Sequence, residues 1–308
     1  VFLIFQFKIY KNMYVILGAS GNTGYRIAKN LLEAGKDVKL VGRDEKKFQE
    51  LVAQGAKTAI GDLEDAAFLA QTLNGAEAVY ALIPPKWDLQ GPWRDYQRKV
   101  GKSITEAIQA SGVKNVVVLS SNGAHLPEGA GPVTGLYEFE QMLKGIAGLN
   151  ILSLRAGYFM QNLFGVIGMI KGMGIFGYSL GRDVKTPIVH TNDIADVATK
   201  HLLSLDFKGF SHVFVPGQRD LTMPEVAQVL GAAIGKPDLQ YVQFTNADAK
   251  AGMLQAGIPE TIADGYNELF DSLNSGKYLN DYTRTPENTN PTSIEDFAKE
   301  FAVAYQHA

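Results

Sequence analysis

Gly18, Gly21 and Gly24, in the run Gly18-Ala19-Ser20-Gly21-Asn22-Thr23-Gly24, are the first residues whose type and spacing point to chemistry. They follow the apolar run Tyr14-Val15-Ile16-Leu17 and open a helical pattern, Thr23 to Glu33. Glycines so spaced let a backbone turn sharply and lie against a pyrophosphate. The helix start adds free N–H groups and the positive end of its dipole. Ser20, Asn22 and Thr23 can add hydroxyl and amide donors. A glycine triplet alone equally describes a tight turn; the strand before it and the helix after it make it a dinucleotide-binding turn.

Other candidates fall at the ends of later apolar runs. After the second stands Val41-Gly42-Arg43-Asp44, where a site preferring NAD would place an acidic residue on the ribose. Arg43 can stack on adenine and pair with a 2′-phosphate, so NADP(H) is expected over NAD(H). The plainer reading of Arg43, with Lys46 and Lys47, is a solvated helix start. After the third run, Gly61-Asp62-Leu63 offers a carboxylate to the adenine amino group, or a cap for a helix starting near Asp65. Ile83-Pro84-Pro85 ends the fourth run, either a wall beside ribose and nicotinamide or simply a loop. His125 lies past the fifth run, where it reads first as a solvated loop histidine and second as a residue facing a substrate. Tyr158, Phe159 and Met160 wall an aromatic acceptor or fill a core.

These positions need a scaffold that brings strand ends together. The runs at Tyr14–Leu17, Val38–Val41, Lys57–Ile60, Ala78–Ala81, Val116–Leu119 and Ile151–Leu154 are mostly separated by helical patterns, such as Trp93 to Ser111. Continuous apolar strands between helices predict a Rossmann-type doubly wound parallel sheet, an α/β fold with ligands beyond the carboxyl strand ends. Residues 13–157 read as this domain, with 185–216 returning to it. Residues 158–184 and 217–300 read as a smaller, mixed substrate-binding lobe, and residues 1–12 as an extension of unknown role. Met223 to Ile234 is an amphipathic helix with Pro224 at its start and Thr222 as N-cap, and Thr292 or Ser293 caps a last helix.

The 308 residues carry a net charge of −3, with scattered basic residues, which is no footprint of nucleic-acid binding. Without cysteine there is no disulfide or thiolate, which suits the cytoplasm. No histidine pair has metal-ligand spacing, so no metal is expected. The apolar stretch Asn162 to Leu180 contains Lys171 and five glycines and reads as a pocket-lining helix and turn, not a membrane span. The expected partner is a small-molecule acceptor; the oligomeric state stays open.

Together these motifs resemble the atypical short-chain dehydrogenases of the NmrA-like family, nearest the bacterial NAD(P)H:quinone oxidoreductase and triphenylmethane reductase branch. The similarity runs through the glycine turn, Val41-Gly42-Arg43, Gly61-Asp62-Leu63, Val118-Leu119-Ser120-Ser121 and Glu140-Gln141-Met142-Leu143. It continues in Leu154-Arg155-Ala156-Gly157-Tyr158-Phe159, Val189-His190-Thr191-Asn192-Asp193 and Pro291-Thr292-Ser293-Ile294-Glu295-Asp296-Phe297. It implies that the Arg155 segment, including Ala156 where proline is common, runs past the nicotinamide. It also implies NADPH-linked reduction of a quinone or other conjugated acceptor, or cofactor sensing without turnover.

Short-chain dehydrogenases usually set tyrosine and lysine one helical turn apart, the lysine lowering the tyrosine pKa for proton transfer. Here Tyr137 is followed at that distance by Gln141, and Lys144 lies about 10 Å along the axis. Tyr137, on the flank of a helix whose core face is Leu136, Phe139, Leu143 and Ile146, is a candidate proton donor or a packing residue. A quinone-like acceptor needs chiefly a well-placed hydride, with protons from water. The expected function is therefore an NADPH-dependent oxidoreductase. The alternatives are a non-catalytic NADP(H) sensor and a nucleotide-sugar epimerase or dehydratase.

Overall fold

The computed structural model describes residues 13–308; the extension at 1–12 lies outside the described residues. The six apolar runs form β1 (Met13–Leu17), β2 (Asp37–Gly42), β3 (Lys57–Ile60), β4 (Ala76–Ala81), β5 (Asn115–Ser121) and β6 (Asn150–Ala156). The short strands β7 (Tyr158–Phe159), β8 (Ile175–Tyr178) and β9 (Thr186–Val189) follow, then β10 (Phe210–Val215), β11 (Asp220–Leu221) and β12 (Gln240–Gln243). One seven-stranded sheet has the order β10-β6-β5-β4-β1-β2-β3, with every pairing parallel. The chain runs outward from β1 through β2 to β3, then crosses to β4 on the other side. That reversal opens a crevice at the carboxyl ends of β1 and β4, where doubly wound sheets bind ligands.

The helices are α1 (Asn22–Glu33), α2 (Gln49–Ala53), α3 (Ala66–Leu73), α4 (Trp93–Ser111), α5 (Val133–Lys144), α6 (Ile167–Met173) and α7 (Thr191–Ser204). After them come α8 (Met223–Ala233), α9 (Asn246–Gln255), α10 (Glu260–Asn274) and α11 (Ile294–His307). Every residue of β1 is buried because both faces of the sheet are covered. Successive side chains point to opposite faces, so Tyr14 and Ile16 join the core under α1 and α7, with Ile27, Leu31, Ile194 and Leu202. Met13, Val15 and Leu17 join the opposite core under α3, α4 and α5, with Leu69, Ile104, Phe139 and Leu143.

A third apolar cluster draws on residues from Met160 to Ile188 and from Leu221 to Phe301, with Ala124, Ala130 and Val133 reaching it from the sheet side. The stretch Asn162 to Leu180, expected to line a pocket, does so only in small part. It divides into a 3-10 turn, α6 and β8; Asn162 lines the cavity described below and Phe164 borders an open groove, while Leu163, Val166, Ile170, Phe176 and Leu180 fill this core. No helix among the described residues is long and apolar enough to cross a membrane. The caps match the sequence pattern: Thr222 and Glu225 form a reciprocal capping box on α8, and Ser293 accepts from the Asp296 N–H on α11. Thr292 is not the cap. Its N–H and hydroxyl donate to the Asp193 carboxylate at 3.1 and 2.7 Å, tying α11 to α7. Burial raises the Asp193 pKa and these two bonds oppose the rise.

Candidate active site at the carboxyl ends of the sheet

The glycine turn is built around two close approaches. Gly18 has φ +64°, the left-handed region, and a Cβ there would lie 2.9 Å from Leu82 Cδ2. A Cβ on Gly24 would lie 2.5 Å from the Gly18 carbonyl oxygen, so α1 can sit this close to β1 only with glycine there. The Gly21 N–H donates to Gly18 O at 3.0 Å, and no side chain caps α1. The first N–H groups of α1 are therefore available to an anion. Ser20, Gly21 and Asn22 are exposed, whereas Thr23 is buried and its Oγ1 accepts from the Tyr80 hydroxyl at 3.0 Å. The Thr23 hydroxyl thus faces β4 instead of the open turn. Gly24→Ala must push α1 from β1. Overpacking of this kind costs about 1–3 kcal/mol, so we expect dinucleotide affinity to fall roughly tenfold in fluorescence titration, with the fold retained.

At the end of β2, Arg43 is exposed and has no salt-bridge partner among the described residues. Its neighbour Asp44 turns to its own backbone, Oδ1 accepting from the Lys46 N–H at 3.0 Å. At the end of β3, Asp62 is exposed and Oδ1 accepts from the Glu64 N–H at 3.0 Å. The cap of α3 is Asp65, which accepts from the Phe68 N–H at 2.9 Å, so Asp62 closes a turn and caps no helix. Leu63 is half-buried and packs against the core under α3 and α4. The Tyr96 hydroxyl on α4 donates to Pro84 O at 3.1 Å and braces the prolyl loop; burial pushes its pKa up to about 12.

Leu82, against Gly18, is also the first wall of a cavity of about 260 Å³ over the ends of β4, β5 and β6. Ile83, Pro84 and Pro85 continue that wall, and Trp87, Trp93, Tyr158, Phe159, Tyr266 and Tyr278 supply an aromatic lining. Trp87 stacks on Tyr266 at 6.1 Å and 13° between planes, joining the prolyl loop to α10. Among the described residues no charged side chain lines this space. Ser20, Gly21 and Asn22 border a separate open groove toward Gln161 and His190.

Four of the candidates placed near the nicotinamide or the acceptor, His125, Tyr137, Ala156 and Met160, do not line the cavity. His125 turns toward the loop after α10, its Nδ1 lying 2.9 Å from Asp281 Oδ1. Tyr137 is half-buried on α5, where the neighbouring Leu136 lines the cavity instead. Ala156 is fully buried in the sheet core, and its carbonyl accepts from the Asn122 N–H at 2.9 Å; Gly157 takes the lining position. Met160 likewise belongs to the lobe core. Gln141, at the lysine position, is exposed. The Tyr-x-x-x-Lys spacing does occur elsewhere, at Tyr25 and Lys29, but on α1, where the Tyr25 hydroxyl donates to Glu50. It belongs to the outer side of the glycine turn and cannot serve the cavity.

Beneath the cavity lies a buried polar cluster that is not among the sites expected from the sequence. Glu140 on α5 is fully buried; its Oε2 accepts from Arg155 Nη2 at 3.0 Å and its Oε1 from Ser120 Oγ at 2.8 Å and from Ser153 Oγ. Arg155 Nη1 reaches Asp281 Oδ2 at 2.9 Å. Ser120 and Arg155 are paired across β5 and β6, so both project from one face of the sheet toward α5. Above the cluster, the Tyr278 hydroxyl lies 2.8 Å from Ser121 Oγ. Burial holds the Tyr278 pKa well above the ordinary tyrosine value, with the Ser121 bond opposing, so this lining hydroxyl stays protonated.

The model of the NmrA-like family matches residues 10–298 of this chain. An NAD(P)H azoreductase from Xenophilus azovorans is 31% identical over 296 residues, covering 96% of this chain and 99% of that relative. Among solved structures, the NADPH-dependent quinone oxidoreductase from Escherichia coli complexed with NADPH superimposes with TM-score 0.80 at 22% identity, covering 94% and 99% of the two chains. The Citrobacter triphenylmethane reductase gives TM-score 0.76 at 17% identity over the same shares, likenesses that establish the fold. A match spanning nearly the whole chain, glycine turn and seven-stranded parallel sheet included, makes this protein a member of the NmrA-like family.

Proposed function

We propose that this protein is an NAD(P)H-dependent oxidoreductase that uses NADPH to reduce a quinone-like, azo or other conjugated small molecule. The observation that carries the reading is the meeting of two features at the same strand ends. One is an uncapped helix N-terminus behind the glycine turn; the other is an uncharged, aromatic-lined cavity that begins at Leu82. The first suits a pyrophosphate and the second a planar conjugated acceptor. Similarity to an azoreductase over nearly the full length supports the same class.

In this reading the backbone from Gly18 to Gly24 takes the pyrophosphate, with Ser20 and Asn22 as added donors. Arg43 takes the 2′-phosphate and Asp62 the adenine amino group. Ile83 and Pro84 wall the ribose. Bound NADPH supplies the hydride. The lining excludes water, and Tyr158 and Phe159 hold the acceptor flat. The Tyr278 hydroxyl, kept neutral by burial, can donate a hydrogen bond to a developing anion. The cytoplasm is the expected compartment for a cysteine-free, NADPH-linked enzyme.

The test is an NADPH titration followed by NADPH oxidation with 1,4-naphthoquinone, an azo dye and a triphenylmethane dye. We expect saturable binding and saturable oxidation with at least one acceptor. Binding without turnover on any acceptor would favour the non-catalytic sensor, a reading that draws support from Gln141 at the lysine position. Oxidation that does not saturate would count against a built acceptor site.

A further inference from the structure

Asn122 stands at the end of β5, 1% exposed, and lines the aromatic cavity. Its backbone is pinned by the N–H donated to Ala156 O at 2.9 Å. Neither Nδ2 nor Oδ1 has a hydrogen-bond partner among the described residues. Leaving a buried donor and a buried acceptor unsatisfied on one side chain is costly, and native proteins rarely do so without a partner in view. Other polar groups in the lining are different. Gln97 has one free acceptor, its Nε2 donating to Pro132 O at 2.8 Å, and Thr186 has a single rotatable hydroxyl.

An amide with both atoms free is satisfied by a ligand that presents an acceptor and a donor side by side. A quinone carbonyl or an azo nitrogen presents acceptors only and would leave Oδ1 unpaired. A primary carboxamide presents both. β5 lies beside β4, whose end meets the glycine turn through Leu82. We propose that Asn122 reads the carboxamide of the nicotinamide ring, Nδ2–H donating to its oxygen and Oδ1 accepting from its N–H. The proposal rests on the NAD(P)H reading above. It makes Asn122 a positioning residue, which fixes the plane and the flip of the ring against the aromatic wall.

The experiment is calorimetric titration of wild type, Asn122→Leu and Asn122→Ala with NADPH and with its reduced 3-acetylpyridine analogue, which has a methyl ketone in place of the carboxamide. We expect the wild type to prefer NADPH about tenfold, since losing one donor strands Oδ1. Both variants should bring that preference below about twofold, and the ligand-free Asn122→Leu protein should melt no lower than wild type, because its removed atoms had no partners. The alanine variant covers the case in which leucine obstructs both ligands. Equal affinities for the two dinucleotides in wild type, or an unchanged preference in both variants, overturn the assignment, whether or not the melting temperature falls. A wild type that binds neither dinucleotide overturns the NAD(P)H reading itself, an outcome distinct from equal binding of both.

Discussion

Arg43→Asp will raise the Kd for NADPH by roughly a hundredfold while changing that for NADH by less than tenfold. The argument starts at the end of β2, where Arg43 is exposed and the acidic neighbour Asp44 is engaged with the Lys46 N–H. The guanidinium beside it has no salt-bridge partner among the described residues and, planar and always charged, is a good donor to a phosphate. A hydrogen bond to a charged group contributes about 1.5–3 kcal/mol, and an aspartate adds repulsion where attraction stood. Its carboxylate also gains the ribose hydroxyls of NADH, so the two affinities move apart. Because Arg43 is exposed, the effect shrinks as salt rises from about 0.01 M to 1 M, across which the screening length falls from roughly 30 to 3 Å. Titrations of both nucleotides at low and high salt check this. An equal loss for NADPH and NADH would remove the 2′-phosphate assignment, and an effect insensitive to salt would point to stacking on adenine instead.

The sheet was legible because its strands are continuous apolar runs, which leave few other structures open once helices separate them. Gly18 and Gly24 were legible for a related reason: the Gly18 carbonyl admits no Cβ at position 24, and sequence records that constraint as residue type. The lobe was harder. Asn162 to Leu180 shows apolarity but not its partner, and a core that holds Leu163, Phe176 and Tyr241 is apolar in the same way as a pocket wall. Ala156 was placed by a general expectation for its segment, whereas the register of β5 with β6 turns its carbonyl to the Asn122 N–H. Glu140 did leave a signal. It stands four residues after Leu136 and three before Leu143, on the stripe that faces the core, where a carboxylate needs a buried partner. Ser153 and Arg155, two apart in an apolar strand, share one face and answer it. Tyr278 and Asp281 left none, since their partners Ser121 and Arg155 are more than a hundred residues away.

That cluster supports the second large effect. Arg155→Met will destabilise the fold by about 3–5 kcal/mol, the usual consequence of removing one partner from a buried ion pair. Glu140 is fully buried and Arg155 is 5% exposed, so the carboxylate left behind has only Ser120 and Ser153 against its charge. Asp281, 26% exposed, can turn to water, which concentrates the damage at Glu140. The double variant Glu140→Gln/Arg155→Met removes both charges and should recover most of the loss, since a buried pair contributes little beyond matching its own desolvation. Urea unfolding of the two single variants and the double gives the coupling directly, and a single-variant loss below about 1 kcal/mol would show the charge to be solvated. Activity should not recover with stability. In the double variant the Arg155 tie to Asp281 is still missing, and that tie holds the segment that carries Tyr278 over the cavity. A folded double variant with impaired NADPH oxidation would separate the two roles of Arg155: neutralising Glu140 beneath the sheet end, and anchoring the wall of the acceptor site above it.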